Sequence, residues 1–189
     1  MVNDKMKRIL LSVVCCLLSF SMMAQGLSEQ EIIQKMSAAA EKIKTVRCDF
    51  TQTKHTKMLK GEQVSKGKMS CELPDKLRWE YISPKASAIV MDGTSTPTQR
   101  NWRGAATLIM NSVTGKSLTD GKAFQVSAKE MQTEYVATLV PLRKDLKRMY
   151  SKLVLHFNIK QSTVTEVELH EKNGDRTIIE LHDIHINEE

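Results

Sequence analysis

The histidines near the C terminus come closest to the spacing of a chemical site. His182 and His185 lie three positions apart in one predicted strand, and Glu168 and His170 lie two apart in the strand that should face it. Imidazole and carboxylate groups bind divalent metals, but residues three apart in a regular strand point to opposite faces. We therefore expect His182 and His185 not to share an ion. Glu168 and His170 share a face, where a partner such as His182 is conceivable, and we interpret them as polar residues of an outer face.

The sequence contains none of the short motifs that carry common catalytic mechanisms. There is no G-x-S-x-G string and no glycine-rich phosphate-binding loop. The acidic residues mostly alternate with lysines along predicted strands, whereas acid–base catalysis needs titratable groups that converge in an apolar pocket. The sequence therefore predicts a protein that is not an enzyme and that has no cofactor and no metal.

The first 24 residues predict a secretory signal peptide. Three basic residues within positions 5–8 precede an apolar run to about residue 23, and Ala24 is the small residue expected before a cleavage site. The run is interrupted by serines and is short for a membrane span of about 20 residues. Cys15 and Cys16 lie inside the run rather than after it, which disfavours a lipoprotein signal. We expect residues 25–189 to form a single secreted domain.

The charge of the secreted part is modest and spread along the chain. Residues 1–24 carry three of the 28 basic and one of the 22 acidic residues, which leaves 25 basic and 21 acidic residues, a net charge of +4. A mild basic bias between Lys54 and Lys68 is typical of a solvated face and is also suited to anionic lipid headgroups or acidic partners. The basic residues lack the aromatic or glycine pattern of a nucleic-acid-binding surface, so we expect no nucleic-acid partner.

The secondary structure predicted from periodicity is one helix followed by strands. Ser28 and Glu31 have the spacing of a capping box, and apolar residues then recur at helical spacing, so we expect an amphipathic helix over 28–44. Apolar and polar residues alternate from residue 46 onward, which predicts antiparallel strands joined by short turns. The stretch 94–102 contains a weak strand signal, and 103–113 and 142–150 have helical patterns. Asn173-Gly174 marks a final hairpin.

The fold class that follows is mainly β with some α: one strongly curved antiparallel sheet with helices on its concave side. The string PDKLRWEY shows which residues belong to the concave apolar face of this sheet, because Leu77, Trp79 and Tyr81 alternate with charged residues. A half-barrel of this size can be filled by its own side chains or can hold an apolar ligand. Periodicity does not distinguish the two.

Two cysteines remain after signal cleavage, and both fall on apolar faces. Cys48 and Cys71 lie in strands that we expect to be antiparallel neighbours. A secreted protein meets oxidising conditions, so the two could form a disulfide across the ladder. The alternative is two small buried thiols, and the sequence leaves both readings open.

Several local strings, in their order and spacing, resemble the LolA family of outer-membrane lipoprotein carriers over nearly the whole secreted part. They are Phe50-Thr51-Gln52, the strand from Gly67 to Pro74, Leu77 with Trp79, Pro84, Val90-Met91-Asp92-Gly93, Leu139-Val140-Pro141 and Asn173-Gly174. The resemblance implies an unclosed antiparallel β-barrel (half-barrel) with a helical lid. It also implies that the protein carries the acyl chains of lipoproteins across the periplasm, and we expect it to do so as a monomer. The donor would be an inner-membrane ATP-driven (ABC) lipoprotein-release complex and the recipient an outer-membrane lipoprotein acceptor.

The resemblance also implies which side chains contact the acyl chains, with 103–113 as the lid. The candidate lining residues are Phe50, Met69, Leu73, Leu77, Trp79, Tyr81, Met91, Leu108, Ile109, Met110, Leu139, Leu155 and Phe157. Carriers of the family often have an arginine just before the proline that corresponds to Pro74, where this chain has Leu73. Two other functions share the expected fold: a periplasmic lipid sensor that binds a regulatory partner, and a carrier of another lipid or a polyene.

Overall fold

A computed structural model describes residues 26–58, 61–93 and 97–188, with the side chains of 97–103 and 105 excepted. The predicted signal peptide, residues 1–24, lies outside the described residues and stays a prediction. Of the helices in the described part of the chain, none combines the length and apolar character of a transmembrane span.

The described chain is organised around one antiparallel sheet of nine strands, in the spatial order β4-β3-β2-β1-β9-β8-β7-β6-β5. Neighbours in the sheet are neighbours in sequence except where β1 pairs with β9. That pairing joins an N-terminal meander of four strands to a C-terminal meander of five. The strands β4 and β5 form the two edges, so the sheet is unclosed and the predicted fold class is confirmed. The strands are β1 Thr45–His55, β2 Glu62–Glu72, β3 Lys76–Ser83, β4 Ser87–Asp92, β5 Phe124–Glu130, β6 Glu134–Pro141, β7 Tyr150–Asn158, β8 Thr163–Glu171 and β9 Arg176–Ile186.

Three α-helices accompany the sheet: α1 (Glu29–Glu41), α2 (Pro97–Val113) and α3 (Lys144–Met149). The predicted capping box starts α1, since the backbone N–H of Ser28 donates to Glu31 Oε2 at 2.8 Å and the Glu31 N–H donates to Ser28 Oγ at 3.4 Å. Helix α1 contacts β5, β6 and β8, whereas α2 contacts β4 and β8. Helix α1 thus extends over the sheet from the β5 edge, and α2 extends over it from the β4 edge.

The weak strand predicted within 94–102 is wrong, because α2 already begins at Pro97. Proline at the first helical position needs no N–H donor and has its φ angle preset for a helix. Pro97 is unfavourable within a strand and instead marks the start of α2. The helix therefore extends six residues further at its N terminus than the predicted 103–113.

A bulge in β9 corrects the expectation for its histidines. Asp183 has a φ of 47°, and the β1–β9 register shifts between Arg47 and Asp49, so two residues of β9 face one residue of β1. His182 and His185 are consequently both exposed, while Ile184 between them packs against the core. Strict alternation had placed the two histidines on opposite faces, and the extra residue puts them on the same one.

Gly67 allows β2 to pass close beneath an aromatic ring. It lies opposite Phe50 of β1, at a point where the β2–β3 register shifts. A Cβ added there would lie 2.6 Å from Phe50 Cζ and would also clash with the backbone oxygen of Glu80. Only a residue without a Cβ leaves room for the ring at this position.

We expect Gly67→Ala to lower the free energy of unfolding by about 1–3 kcal/mol, the usual cost of forcing extra atoms into a packed interior. Urea unfolding monitored by circular dichroism measures the change. Gly26→Ala is the matched control, because a Cβ at Gly26 meets nothing within 4 Å. Equal stabilities for the two variants would contradict the close approach described here.

Candidate functional site

Three aromatic rings form the centre of the concave face. The rings of Phe50 and Trp79 stack with their centroids 4.0 Å apart and their planes 27° from parallel. Tyr81 meets Phe50 edge to face at 5.5 Å, and its hydroxyl donates to Gln52 Oε1 at 3.1 Å. The strand register explains the cluster, since Phe50 lies opposite Gly67, which in turn lies opposite Tyr81. Residues from three strands therefore build one aromatic surface.

The indole nitrogen of Trp79 is buried without a hydrogen-bond acceptor among the described residues. The side chain is fully shielded from solvent, at 0% exposure. A buried donor left unpaired lowers the stability of the fold by about 1–3 kcal/mol. An acceptor that entered the apolar interior could therefore form a favourable hydrogen bond with this N–H.

The residues predicted to contact acyl chains all belong to one continuous apolar interior. Leu73, Tyr81 and Ile109 are partly buried against it. The other ten are buried: Phe50, Met69, Leu77, Trp79, Met91, Leu108, Met110, Leu139, Leu155 and Phe157. The structure brings the predicted set together in this cluster. Whether the set binds acyl chains stays a prediction.

Helix α2 covers this interior from β4 at one edge of the sheet to β8 beyond the β1–β9 join. Its described inner side is apolar, with Leu108, Met110 and Val113 all buried. Near its end, the hydroxyl of Thr114 donates to the Met110 carbonyl oxygen at 2.8 Å, but the buried Ser112 hydroxyl has no partner among the described residues. The described residues of this helix therefore contact the sheet mainly through non-directional apolar side chains.

Both cysteines are free and buried in the structure. They lie on the same face but are diagonal to each other, because Cys48 is opposite Met69 and Cys71 is opposite Val46. Burial raises the pKa of the Cys48 thiol to about 12, and that of Cys71 to about 11. Neither thiol is activated for redox or nucleophilic chemistry.

We expect the protein from Gln25 onward to react very slowly with a thiol reagent at pH 8 while it is folded, because almost no thiolate is present. Two thiols should react at once in denaturant without reductant. Absorbance of the released chromophore counts them. No reactive thiol in the denatured protein would instead establish the Cys48–Cys71 disulfide that the sequence allows.

A polar cluster on the exposed side of the sheet is centred on His156. Its Nδ1 lies 3.2 Å from both carboxylate oxygens of Glu134 on β6, and its Nε2 lies 3.2 Å from Glu168 and 3.6 Å from Glu166 on β8. Ligand atoms of His156, Glu166 and Glu168 lie within 4.8 Å of one another, close enough for a shared metal ion. Charged His156 satisfies the same carboxylates without a metal.

The sequence analysis identified Glu168 and His170 of this cluster but not His156 at its centre. Glu168 accepts from His170 at 2.8 Å, as their shared face predicted, but His182 contacts Thr51 Oγ1 at 3.2 Å and is not part of the cluster. His156 was missed because the signal is the cross-strand register that sets it opposite Glu166. That register is not visible in either strand alone.

Opposing effects act on the pKa of His156. Burial disfavours the imidazolium, but hydrogen bonds to Glu168 and Glu134 and the charge of Glu166 outweigh burial, so the pKa lies above its ordinary value. A pKa raised by folding contributes stability that is complete below the ordinary value, about 6.5, and that is lost as the pH rises through the folded value.

We therefore expect the stability advantage of the natural protein over His156→Gln to be larger at pH 6 than at pH 8. Urea midpoints at both pH values measure it. His185→Gln is a control, because that histidine is exposed and pairs with Glu188 near the C terminus. An advantage for His156 that grows from pH 6 to pH 8 would show that the neutral imidazole is the stabilising form.

Comparison with known proteins agrees with this arrangement. The model of the family described as "Outer membrane lipoprotein carrier protein LolA" matches residues 41–189. An outer-membrane lipoprotein carrier protein of Nitrosospira multiformis is 34% identical over 83 residues, which are 44% of this chain and 40% of that protein. The aligned part thus spans about two fifths of the relative's length.

Two solved structures show a more distant likeness. A LolA superfamily protein of Nitrosomonas europaea is 12% identical, with a TM-score of 0.43 over 87% of this chain and 96% of that one. The MucA/MucB complex of Pseudomonas aeruginosa gives 7% identity and a TM-score of 0.47 over 82% of this chain and 56% of the matched chain.

Proposed function

This chain belongs to the LolA family of outer-membrane lipoprotein carriers, and from that premise we propose that it binds the acyl chains of lipoproteins in the interior beneath α2. The family consists of carriers rather than enzymes. The single observation that carries the proposal is the continuous apolar interior of the unclosed sheet, covered between β4 and β8 by α2 through apolar contacts. Such an interior can exchange its own cover for a ligand.

The energies of opening and binding are comparable. Exposing Leu108, Met110 and Val113 by moving α2 costs roughly 5–9 kcal/mol, at 1.5–3 kcal/mol for each buried apolar side chain. An acyl chain gains about 0.8 kcal/mol per buried methylene, so roughly 6–11 methylenes offset the opening. A long acyl chain exceeds this length. The closed structure described here is then the empty carrier, and a lipoprotein stabilises the open one.

The composition of the interior suits cargo that must be both held and released. Met36, Met69, Met91 and Met110 are all buried, and methionine side chains repack around differently shaped ligands at little cost. The unpaired N–H of Trp79 adds one polar contact, because the ester or amide carbonyl of an acyl group can accept it. Binding through many weak contacts and one hydrogen bond leaves release possible.

Leu73 fits a cover held by apolar contacts. Its backbone N–H donates to the Lys44 carbonyl oxygen at 2.8 Å, and its side chain packs against the interior. A leucine cannot donate the hydrogen bonds by which the arginine of related carriers holds the lid. We infer that the chain relies on α2 contacts such as those of Leu108 and Met110, and that Leu73 extends the apolar lining.

Transport requires partners on both sides of the periplasm. The proposed cycle begins with a signal peptide that directs export and continues with loading at an inner-membrane ABC release complex. It ends at an outer-membrane lipoprotein acceptor, whose own site must bind the acyl chains more tightly. The carrier itself acts as a monomer, because one sheet and one cover enclose the interior.

The tryptophan hydrogen bond provides a sharp test of acyl binding. We expect Trp79→Phe to raise the Kd for a triacylated lipopeptide about fivefold, since an aromatic ring is kept and one hydrogen bond of about 1 kcal/mol is lost. The Kd for an ether-linked analogue without acyl carbonyls should not change. Titration calorimetry with both ligands measures the two values, and unfolding experiments confirm that the variant is folded.

The matched control is Arg78→Ala, which alters the neighbouring residue on the opposite face. Arg78 pairs with Glu80 at 2.7 Å at the surface, so its removal should leave both Kd values within about twofold. Equal effects of Trp79→Phe on the two ligands would show that the N–H does not contact an acyl carbonyl. Failure of the natural protein to bind either lipopeptide would contradict lipoprotein carriage and favour the lipid-sensor or other-lipid function.

A further inference from the structure

An apolar opening lies between α1 and the sheet, apart from the interior that α2 covers. It is a cavity of about 630 Å³, within the range of small-ligand sites. Its inner wall includes the rings of Tyr135 and Phe157, whose centroids are 6.3 Å apart and which are only 5% and 4% exposed. Aliphatic side chains complete the apolar part of the wall, namely Ile43, Ile159 and Ile186.

The sequence of α1 creates this opening. Positions 35, 38, 39 and 42 lie along one side of the helix, next to the stripe of Ile32 and Met36 that enters the core. The two central positions are Ala38 and Ala39, which leave a gap where larger side chains would fill the space against the sheet. The flanking positions are lysines.

The rim of the cavity is cationic. Lys35 and Lys42 line it from α1, and Gln161 and Ser162 line it from the turn between β7 and β8. Within the described part of the chain, neither ammonium group forms an ion pair, although the charge of Lys35 acts on Glu31 one turn earlier. No carboxylate lines this cavity, whereas the three others described all have acidic residues in their walls.

We propose that this cavity binds a free long-chain fatty acid. The apolar wall takes the alkyl chain, and the two lysines, with the amide of Gln161 and the hydroxyl of Ser162, face the carboxylate. The volume suits one chain rather than the two or more of a membrane lipid or lipoprotein. The proposal goes beyond lipoprotein carriage, because the ligand is a single-chain anion and the site opens beside α1, although its inner wall shares Phe157 with the set predicted to contact acyl chains.

Palmitate labelled with ¹³C at its carboxyl carbon provides the test, with the protein from Gln25 onward at low ionic strength. We expect a bound palmitate whose carboxyl resonance is shifted from that of free palmitate and depends on Lys35 and Lys42. The double variant Lys35→Gln/Lys42→Gln should raise the Kd about tenfold, since two charge contacts are removed. Lys122→Gln/Lys129→Gln removes the same charge from exposed positions outside the cavity and should leave the Kd within about twofold.

A second pair of variants tests the cavity itself. Ala38→Phe fills the mouth from an exposed position and should abolish the palmitate binding that depends on Lys35 and Lys42, whereas Gln34→Phe, exposed on the same helix but outside the cavity, should not. Monopalmitoylglycerol has the same chain without the charge and should bind at least about tenfold more weakly. Lipopeptide affinity should be unchanged in the lysine variant, which separates this site from the proposed carrier function.

Several results would overturn the proposal. They are unchanged palmitate affinity in the lysine variant or in Ala38→Phe, and equal affinity for palmitate and monopalmitoylglycerol. Lysine-dependent binding to phosphatidylglycerol vesicles without binding of palmitate would also overturn it, because the rim would then be a membrane-docking surface.

Discussion

An antiparallel sheet that does not close has a concave apolar face, and burying that face is the constraint on which the rest of this structure depends. The two edge strands, β4 and β5, lie at opposite ends of nine strands and do not pair. Water must be excluded from the face between them by helices, because a closed barrel wall is absent from the described sheet. Helix α1 covers the side near β5 and β6, and α2 reaches from β4 to β8. The cover is thus divided between two helices.

Aromatic and thioether side chains determine how that face behaves when it is uncovered. The Phe50–Trp79 stack depends on the missing side chain of Gly67, so the rigid part of the interior is fixed by backbone geometry. Methionines such as Met69 and Met110 surround it and supply the adaptable part. The interior thus combines a rigid aromatic surface with an adaptable surround.

Much of this arrangement is readable from local sequence patterns, because alternation and capping are local. The alternation at Leu77 and Trp79 gave the strand and its buried face, and Ser28 with Glu31 gave the start of α1. The features that were missed depend on register between strands or on one exceptional backbone angle. The bulge at Asp183 and the position of His156 opposite Glu166 are of this kind. The sequence also could not distinguish a packed core from a cavity, since both have the same periodicity.

The join between β1 and β9 has a consequence for the order in which the protein can fold. Thr51 of β1 contacts His182 of β9, which is 131 positions away in the chain. Neither meander can bury its inner strand until the last strand has been synthesised. Closing so long a loop is entropically costly and slows folding, so unpaired strands persist while the chain is incomplete. During that interval the unpaired edges of the two meanders can pair with other chains, so the incomplete protein is prone to aggregation.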